Sequence, residues 1–251
     1  MNKVTYLSHS GFVVANADVV MVFDYCHDPS HALTRLLDAD ENLYKPVVFF
    51  DTHYRRDRRM PDMFEIAQNH KRVYVMSNDI PAKVIPKTLD VAGMSAGDYI
   101  EELPGGLSVR AYGSTDRGVS FLVTTKDGEK IFYAGDLNDW HWVDLPTLKE
   151  QAAAHSRFEK LVHRVASDNP EIDIAMFPVD TRLGTDYAAG ARYFLDNVKV
   201  EDFFPMHFDG DPHKACDFAA YAPKDVACHC LYEPGESITL GKMKHETAAV
   251  H

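Results

Sequence analysis

The sequence lacks any apolar run long enough for a membrane span, which needs roughly 20 consecutive apolar residues. Its first ten residues, "MNKVTYLSHS", also lack the apolar core of a secretory signal. We therefore expect a cytoplasmic protein that has no membrane partner.

Cysteine is scarce, with only 4 in 251 residues. They are Cys26, Cys216, Cys228 and Cys230, and this uneven spacing does not predict a disulfide framework, so we expect reduced thiols. Cys228 and Cys230 have no second cysteine pair at zinc-finger spacing. The alternation in "DVACHCLYE" is instead typical of a strand.

Positive charge is in deficit, since 26 Lys and Arg face 38 Asp and Glu for a net charge of −12. This balance argues against a nucleic-acid partner, which requires a basic surface. A Gly-x-Ser-x-Gly elbow, an N-terminal nucleophile and a phosphate-cradling glycine loop are absent as well. These absences disfavour serine hydrolases and nucleoside triphosphatases.

What is present indicates one α/β domain over residues 1–251, because 45% hydrophobic residues suffice for a sizeable core and there is no repeat or Gly/Ser-rich linker. Asp127-Gly128 in "TTKDGEKIF" predicts a hairpin, and therefore mixed or antiparallel sheets rather than a doubly wound parallel one. Helices are predicted over 61–70, 79–84, 146–166 and 187–198. The predicted strands are "KVTYL", "GFVVA", "VVMVFD", "PVVFF", "RVYVMS", "LSVRAY", "GVSFLVTT", "KIFYAG", "IDIAMFPVD" and "VEDFFPMHF".

Four residues that can bind metals follow predicted strands. They are His53 and Asp57 after "VVFF", Asp136 after "KIFYAG", and His207 after "FFP". Two imidazoles and two carboxylates suit one divalent cation of the zinc, manganese or iron type. Each residue alone has a structural explanation, as a turn, a helix start or a packed histidine, but their shared location favours a site.

The order of these motifs resembles the metallo-β-lactamase superfamily, and the resemblance runs over most of the chain. "YLSHSGFVVANADVVMVFDY" is similar to the opening hairpins, which end in Asp24, and "DTHYRRDR" stands in place of the H-x-H-x-D-H metal loop. "YAGDLN" and "FPMHF" correspond to the Gly-Asp strand end and the last histidine. The opening most resembles the lactonase-like and phosphodiesterase-like branch. The resemblance implies a four-layer αββα sandwich, in which helices flank two mixed sheets, and hydrolysis of an ester, lactone or phosphoester.

The resemblance also implies a metal-ligand set, carried over residue by residue. His53 matches the first loop histidine, Asp57 the loop aspartate, Asp136 the bridging aspartate and His207 the last ligand. Arg55 and Arg58 replace loop histidines, and Gly113, Ser114 or Thr115 stands where the next histidine would fall. Arginine offers only donors and stays charged, so it cannot bind a cation. We therefore expect at most one ion, with Asp57 as the catalytic group that orients or deprotonates a water.

The arginines leave an alternative open, which is a metal-free and non-catalytic protein. In that case Arg55 or Arg58 replaces the metal charge between Asp57 and Asp136. Such an arginine could also bind a phosphate or carboxylate of an anionic small molecule or partner. A third interpretation is that the arginine run is merely a solvated basic face.

Other residues near the predicted site have two interpretations each. Trp140 and His141 could contact an anionic substrate, or the tryptophan could pin its loop to the core. His9 could serve as a ligand or proton carrier, or be a core histidine. Asp116 could replace an imidazole or form a turn. Asp180 and Arg182 could form an ion pair or help to close the rim of the site.

Overall fold

The computed structural model describes residues 1–54, 60–140, 147–208 and 210–241, and the side chains of these residues except 60–62. Two seven-stranded sheets pack face to face, each with one antiparallel and one parallel part. The prediction of two mixed sheets flanked by helices is confirmed.

The first sheet has the strand order β14-β1-β2-β3-β4-β5-β6. Neighbouring strands are antiparallel from β14 to β3 and parallel from β3 to β6. β3 and β4 are buried along their whole length, which explains why they are apolar on both faces. The strands are β1 (Asn2–Ser8), β2 (Gly11–Ala15), β3 (Val20–Phe23), β4 (Val47–Asp51), β5 (Arg72–Ser77), β6 (Val91–Met94) and β14 (Ser237–Leu240).

The second sheet has the strand order β13-β12-β11-β10-β9-β8-β7. It is antiparallel from β7 to β10 and parallel from β10 to β13, and the predicted Asp127-Gly128 turn joins β9 to β10. The strands are β7 (Tyr99–Leu103), β8 (Leu107–Gly113), β9 (Val119–Thr124), β10 (Lys130–Tyr133), β11 (Glu171–Pro178), β12 (Lys199–Met206) and β13 (Ala227–Cys228).

Helices cover the outer faces of both sheets. Leu33 of the first helix packs in one cluster with Phe49 and Tyr74 of the first sheet, whereas Phe158 and Phe194 of two later helices belong to the cluster that includes the second sheet. The α-helices are α1 (Ala32–Leu37), α2 (Met60–Glu65), α3 (Leu148–Asp168), α4 (Ala189–Asn197) and α5 (Pro212–Cys216). The 3-10 helices are Ala82–Val84, Pro104–Gly106, Thr181–Asp186 and Asp217–Ala220.

Aromatic side chains fill the space between the sheets. The ring of Phe23 lies 5.0 Å from that of Phe50 on the neighbouring strand and 4.9 Å from that of Tyr133 on the opposite sheet. Each such buried side chain stabilises the fold by roughly 1.5–3 kcal/mol. This three-ring stack lies between the two sheets and supports the strand ends at which the predicted site residues lie.

Several sequence predictions differ from the structure. Cys216 and Cys230 form a disulfide with their Cα atoms 5.5 Å apart, so the prediction of reduced thiols was wrong for this pair. Spacing along the chain did not reveal that α5 packs beside the segment after β13. The predicted helix 61–70 is α2, which ends at Glu65, and β6, β7 and β14 were not predicted.

Among the described residues, no helix has the length and apolar character needed to cross a membrane.

Candidate metal centre

Three of the predicted metal ligands meet at one end of the two sheets. His53 follows β4 of the first sheet, whereas Asp136 and His207 follow β10 and β12 of the second. The three residues are only 2%, 1% and 2% exposed. His53 Nε2 lies 3.3 Å from Asp136 Oδ2, and His207 Nε2 lies 3.7 Å from Asp136 Oδ1. The carboxylate of Asp136 therefore lies between two imidazoles, one from each sheet.

Two glycines allow the sheets to approach each other this closely. Gly118 has φ 63°, and a Cβ atom there would lie 1.8 Å from the backbone oxygen of Thr52. Gly135 has φ 57°, and its Cβ would lie 2.7 Å from Thr52 Oγ1. The neighbouring Val119 N–H donates to Thr52 O at 2.9 Å. Only glycine fits both the left-handed backbone and the contact.

The orientation of His53 is fixed by a buried hydrogen-bond relay. Asp24 accepts the backbone N–H of Thr52 at 2.7 Å and its hydroxyl hydrogen at 2.6 Å. Because that hydrogen is committed to Asp24, Thr52 Oγ1 can only accept from His53 Nδ1, which is 2.8 Å away. Neutral His53 therefore carries its hydrogen on Nδ1 and has a lone pair on Nε2, the atom nearest Asp136.

A carboxylate fixes His207 directly. Asp180 Oδ2 lies 2.9 Å from His207 Nδ1, and the predicted ion pair between Asp180 and Arg182 is present, with Arg182 Nε donating to Oδ1 at 2.9 Å. Burial alone would raise the pKa of Asp180, but hydrogen bonds from His207 and Arg182 outweigh it and hold that pKa well below the usual carboxyl value. The ionised Asp180 accepts the Nδ1 hydrogen, so neutral His207 also has a lone pair on Nε2.

This arrangement of donor atoms favours a positive charge near Asp136. Two nitrogen lone pairs lie beside the two oxygens of one carboxylate, and a carboxylate or hydroxyl fixes each ring from behind, as in many metal centres. Donor atoms on one tetrahedral zinc ion, with bonds of about 2.1 Å, are about 3.4 Å apart. The 3.3 Å separation of His53 Nε2 and Asp136 Oδ2 matches this value, and the 3.7 Å separation is slightly wider.

The described residues supply two ligand pairs that share Asp136. Within 1–54, 60–140, 147–208 and 210–241, no group of three or more His, Cys, Asp or Glu side chains is already spaced to hold a metal. The residues therefore fit one ion in part, and a further ligand would complete the set. The predicted ligand Asp57, like Arg55, Arg58 and His141, lies outside the described residues.

Trp140 lies beside the centre and is 7% exposed. Its indole N–H donates to the backbone oxygen of Asp136 at 2.7 Å, and its ring centre is 5.3 Å from that of His207. These contacts support the interpretation that the tryptophan pins its loop. Its predicted contact with a substrate stays a prediction.

The segment in which the family's next histidine would fall has a structural role here. The Thr115 hydroxyl donates to the backbone oxygen of Asn138 at 2.6 Å and so fixes the loop that follows Asp136. Asp116 is exposed, and its N–H lies 3.4 Å from Ser114 Oγ, as expected for a turn. Its predicted role as an oxygen ligand stays a prediction.

Sequence reasoning missed the residues that orient the two histidines. Asp24 was identified only as the end of the opening hairpins, and Thr52 was not identified at all. His9 was left open, and its ring centre lies 4.7 Å from that of His207, whose backbone N–H donates to His9 O at 3.3 Å. Both histidines have a left-handed backbone, with φ 55° and 69°. Such conformations are uncommon outside glycine and concentrate at functional sites.

The fold that carries this centre is the metallo-β-lactamase fold, as comparison with solved structures shows. Igni18, a metallo hydrolase from Ignicoccus hospitalis, is 18% identical with a TM-score of 0.65, over 96% of this chain and 98% of Igni18. The metallo-β-lactamase fold protein YhfI from Bacillus subtilis is 12% identical with a TM-score of 0.62, over 95% and 100%.

A third protein of similar structure is a hydroxylase, whereas Igni18 is a hydrolase. CmlA, a diiron β-hydroxylase from Streptomyces venezuelae, is 13% identical with a TM-score of 0.60, and the match covers 95% of this chain and 54% of CmlA. At these identities the similarity shows the fold alone. No protein-family profile and no curated protein sequence matches the chain.

Proposed function

We propose that the protein is a metal-dependent hydrolase with a reduced centre that holds at most one ion. The ligands are His53, Asp136 and His207, with Asp57 completing the set. The position of Asp136 between two imidazoles of fixed orientation carries the proposal. The hydrolases among the proteins that share the fold support it.

The substrate is a small anionic ester, lactone or phosphoester. When bound, a divalent ion supplies polarisation of the substrate oxygen and a lower pKa of the attacking water. The chain itself orients the ligand nitrogens through Thr52 and Asp180, and excludes solvent from the ligands by burial. Asp57 orients the attacking water or takes its proton. Arg55, Arg58 and His141 contact the anionic group, and Trp140 fixes the loop beside it.

The donor set restricts the choice of metal. Two imidazole nitrogens with carboxylate oxygens suit zinc, manganese or iron, whereas calcium and magnesium prefer oxygen ligands. The metal-free and non-catalytic alternative, in which Arg55 or Arg58 supplies the positive charge beside Asp136, differs from the proposal in two measurable properties, metal content and hydrolytic activity.

The test is metal analysis of protein purified without a histidine tag, followed by titration with zinc, manganese and iron(II). We expect about one equivalent at saturation. His53→Gln and His207→Gln should each weaken metal binding about 100-fold or more, since loss of a supporting residue alone weakens it 10–100-fold. His163→Gln is the matched control, because His163 is exposed on α3 and contacts Tyr193 rather than the centre.

Two results would overturn the proposal. One is less than about a tenth of an equivalent of metal in the wild type, with none of the three metals restoring ester or phosphodiester hydrolysis. The other is equal metal affinity in wild type, His53→Gln and His163→Gln. The first result would favour the metal-free alternative.

A further inference from the structure

The candidate centre contains a third imidazole, that of His9, in the turn between β1 and β2. We propose that His9 is a substrate-contacting hydrogen-bond donor rather than a metal ligand. Its Nε2–H binds an oxygen of the scissile group, the carbonyl oxygen of an ester or lactone or a non-bridging oxygen of a phosphoester. The substrate class rests on the proposed function, whereas the hydrogen position on His9 rests on the structure alone.

The hydrogen position follows from Ser10. Its side-chain oxygen lies 2.9 Å from His9 Nδ1, and the residue is only 1% exposed. In the described part of the chain, the Ser10 hydroxyl has no other hydrogen-bond acceptor, and buried hydroxyl groups donate when an acceptor is in reach. Ser10 therefore donates to Nδ1. A neutral His9 ring must then carry its own hydrogen on Nε2.

This tautomer is opposite to that of the two proposed ligand histidines. His53 and His207 each donate from Nδ1, to Thr52 and Asp180, so that Nε2 has the lone pair that a metal requires. In His9 the Nδ1 lone pair accepts from Ser10, and Nε2 has the hydrogen. The hydrogen-bond partners thus divide the three imidazoles into two ligands and one donor.

The backbone holds this donor beside the centre. The His9 ring stands edge to face against His207 with ring centres 4.7 Å apart. The carbonyl of His9 accepts the N–H of His207 at 3.3 Å, which ties the turn to the end of β12. His9 is partly exposed, whereas His53, Asp136 and His207 are buried.

A fixed donor in this position stabilises negative charge that develops on a substrate oxygen. The hydrogen bond needs no change of ring charge, and its orientation is set before the substrate binds, which is the condition for effective stabilisation of a transition state. Loss of one such donor lowers kcat about 100- to 1,000-fold in well-studied hydrolases.

The first test locates the hydrogens by long-range proton–nitrogen NMR of histidine-labelled protein at about pH 8, where ordinary imidazoles are neutral. We expect His9 to be protonated at Nε2, and His53 and His207 at Nδ1. Ser10→Ala should abolish the preference of His9 and leave the other two rings unchanged. A hydrogen on Nδ1 of His9 in the wild type would overturn the proposal, whether or not the protein binds a metal.

The second test separates a donor from a ligand. His9→Asn suits the left-handed backbone, because asparagine tolerates positive φ, and its amide is too short to replace the imidazole. Its affinity for zinc and manganese should stay within about threefold of wild type, in contrast to His53→Gln. The affinity of the metal-loaded protein for inorganic phosphate should fall about 10-fold or more, as for a lost hydrogen bond to a charged group.

Hydrolysis of bis(p-nitrophenyl) phosphate or p-nitrophenyl acetate gives a third readout. We expect kcat of His9→Asn to fall about 100-fold, with little change in KM for the uncharged ester and a raised KM for the charged phosphodiester, and His9→Gln, which restores a longer N–H donor, to recover part of the loss. Loss of metal on His9→Asn, or unchanged phosphate affinity, contradicts the proposal. Failure of the proposed function instead appears as absence of metal from the wild type, so the two failures are distinguishable.

Discussion

The two proposed ligand histidines have the same orientation but different support. On the first sheet, His53 is held by the hydroxyl of Thr52, which is bonded to the fully buried Asp24. On the second sheet, His207 is held by Asp180, whose other partner, Arg182, has a side chain that is 41% exposed. The first support is part of the folded core, whereas the second reaches the surface through an ion pair.

This difference indicates how each support will respond to change. Asp24 accepts two donors from one buried residue, so its loss leaves buried donors without acceptors and lowers stability. The side chain of Asp180 is equally buried, but its partner Arg182 is partly exposed and can be solvated when the carboxylate is removed, so that only His207 Nδ1 loses a buried acceptor. We therefore expect the first support to matter mainly for folding and the second mainly for metal affinity.

The largest expected effect comes from separating the His53 loop from the second sheet. In Gly118→Ala the new Cβ would lie 1.8 Å from the Thr52 backbone oxygen, so we expect a loss of about 4 kcal/mol or more in the free energy of unfolding. Gly128→Ala is the control, since Gly128 also has positive φ but nothing within 4 Å, and should lose only about 1–2 kcal/mol. Urea denaturation measures both. Equal losses would show that the left-handed backbone conformation, and not the contact with Thr52, determines the loss of stability.

The second prediction contrasts the two carboxylates. Asp24→Asn turns one acceptor into a donor beside the Thr52 donors, and should lower the free energy of unfolding by about 3 kcal/mol. Asp180→Asn keeps an amide oxygen that can accept from His207 Nδ1, so it should lower the free energy of unfolding less, by about 1–2 kcal/mol, and weaken metal binding 10–100-fold. Urea denaturation of the metal-free proteins and a zinc titration give the two values. If Asp180→Asn is the less stable variant, it is wrong to assign Asp24 mainly to folding and Asp180 mainly to metal affinity.

The smallest expected effect concerns the loop after Asp136. The hydrogen bond to Asp139 raises the pKa of His155 on α3 against a smaller opposing effect of burial. A raised pKa means that this pair stabilises the fold fully below the ordinary histidine pKa of about 6.5 and loses that contribution as the pH rises through the raised value. Because the His155 side chain is 49% exposed, the contribution should stay below about 1 kcal/mol.

Comparison of His155→Gln with wild type from about pH 5 to pH 9 measures this contribution. The difference in unfolding free energy should be largest at acidic pH and disappear at alkaline pH. His163→Gln, on the same helix but beside the Tyr193 hydroxyl, should show no such trend. A difference that grows with pH would contradict a raised pKa of His155 in the folded protein.

The strand-end pattern predicted the position of His53, Asp136 and His207 because residues that follow strands in an α/β protein lie along a common rim, here at one end of both sheets. The same pattern could not identify Thr52 or Asp24 as supports, since a buried hydroxyl or carboxylate looks in sequence like any turn residue. The resemblance to the metallo-β-lactamase superfamily predicted the two-sheet architecture. The substrate class and metal content that it implies stay predictions.

Local composition explains the elements that the sequence did not reveal. β6 contains Gly93, and β7 has Glu101 and Glu102 exposed, so neither strand shows the apolar run on which the prediction relied. The disulfide joins Cys216 and Cys230 across a turn of the chain that only tertiary packing creates. Long-range contacts of this kind leave no periodic signal.

Because the proposed metal ligands come from both sheets, the concentration of the metal ion should affect the stability of the fold. One imidazole comes from the first sheet, while the other and the carboxylate come from the second, so the proposed cation, if bound among them, would cross-link both halves of the sandwich. Unfolding would release that cation, and each tenfold rise in its concentration above Kd would then add about 1.4 kcal/mol to the free energy of unfolding. The melting temperature therefore becomes a readout of occupancy that requires no substrate.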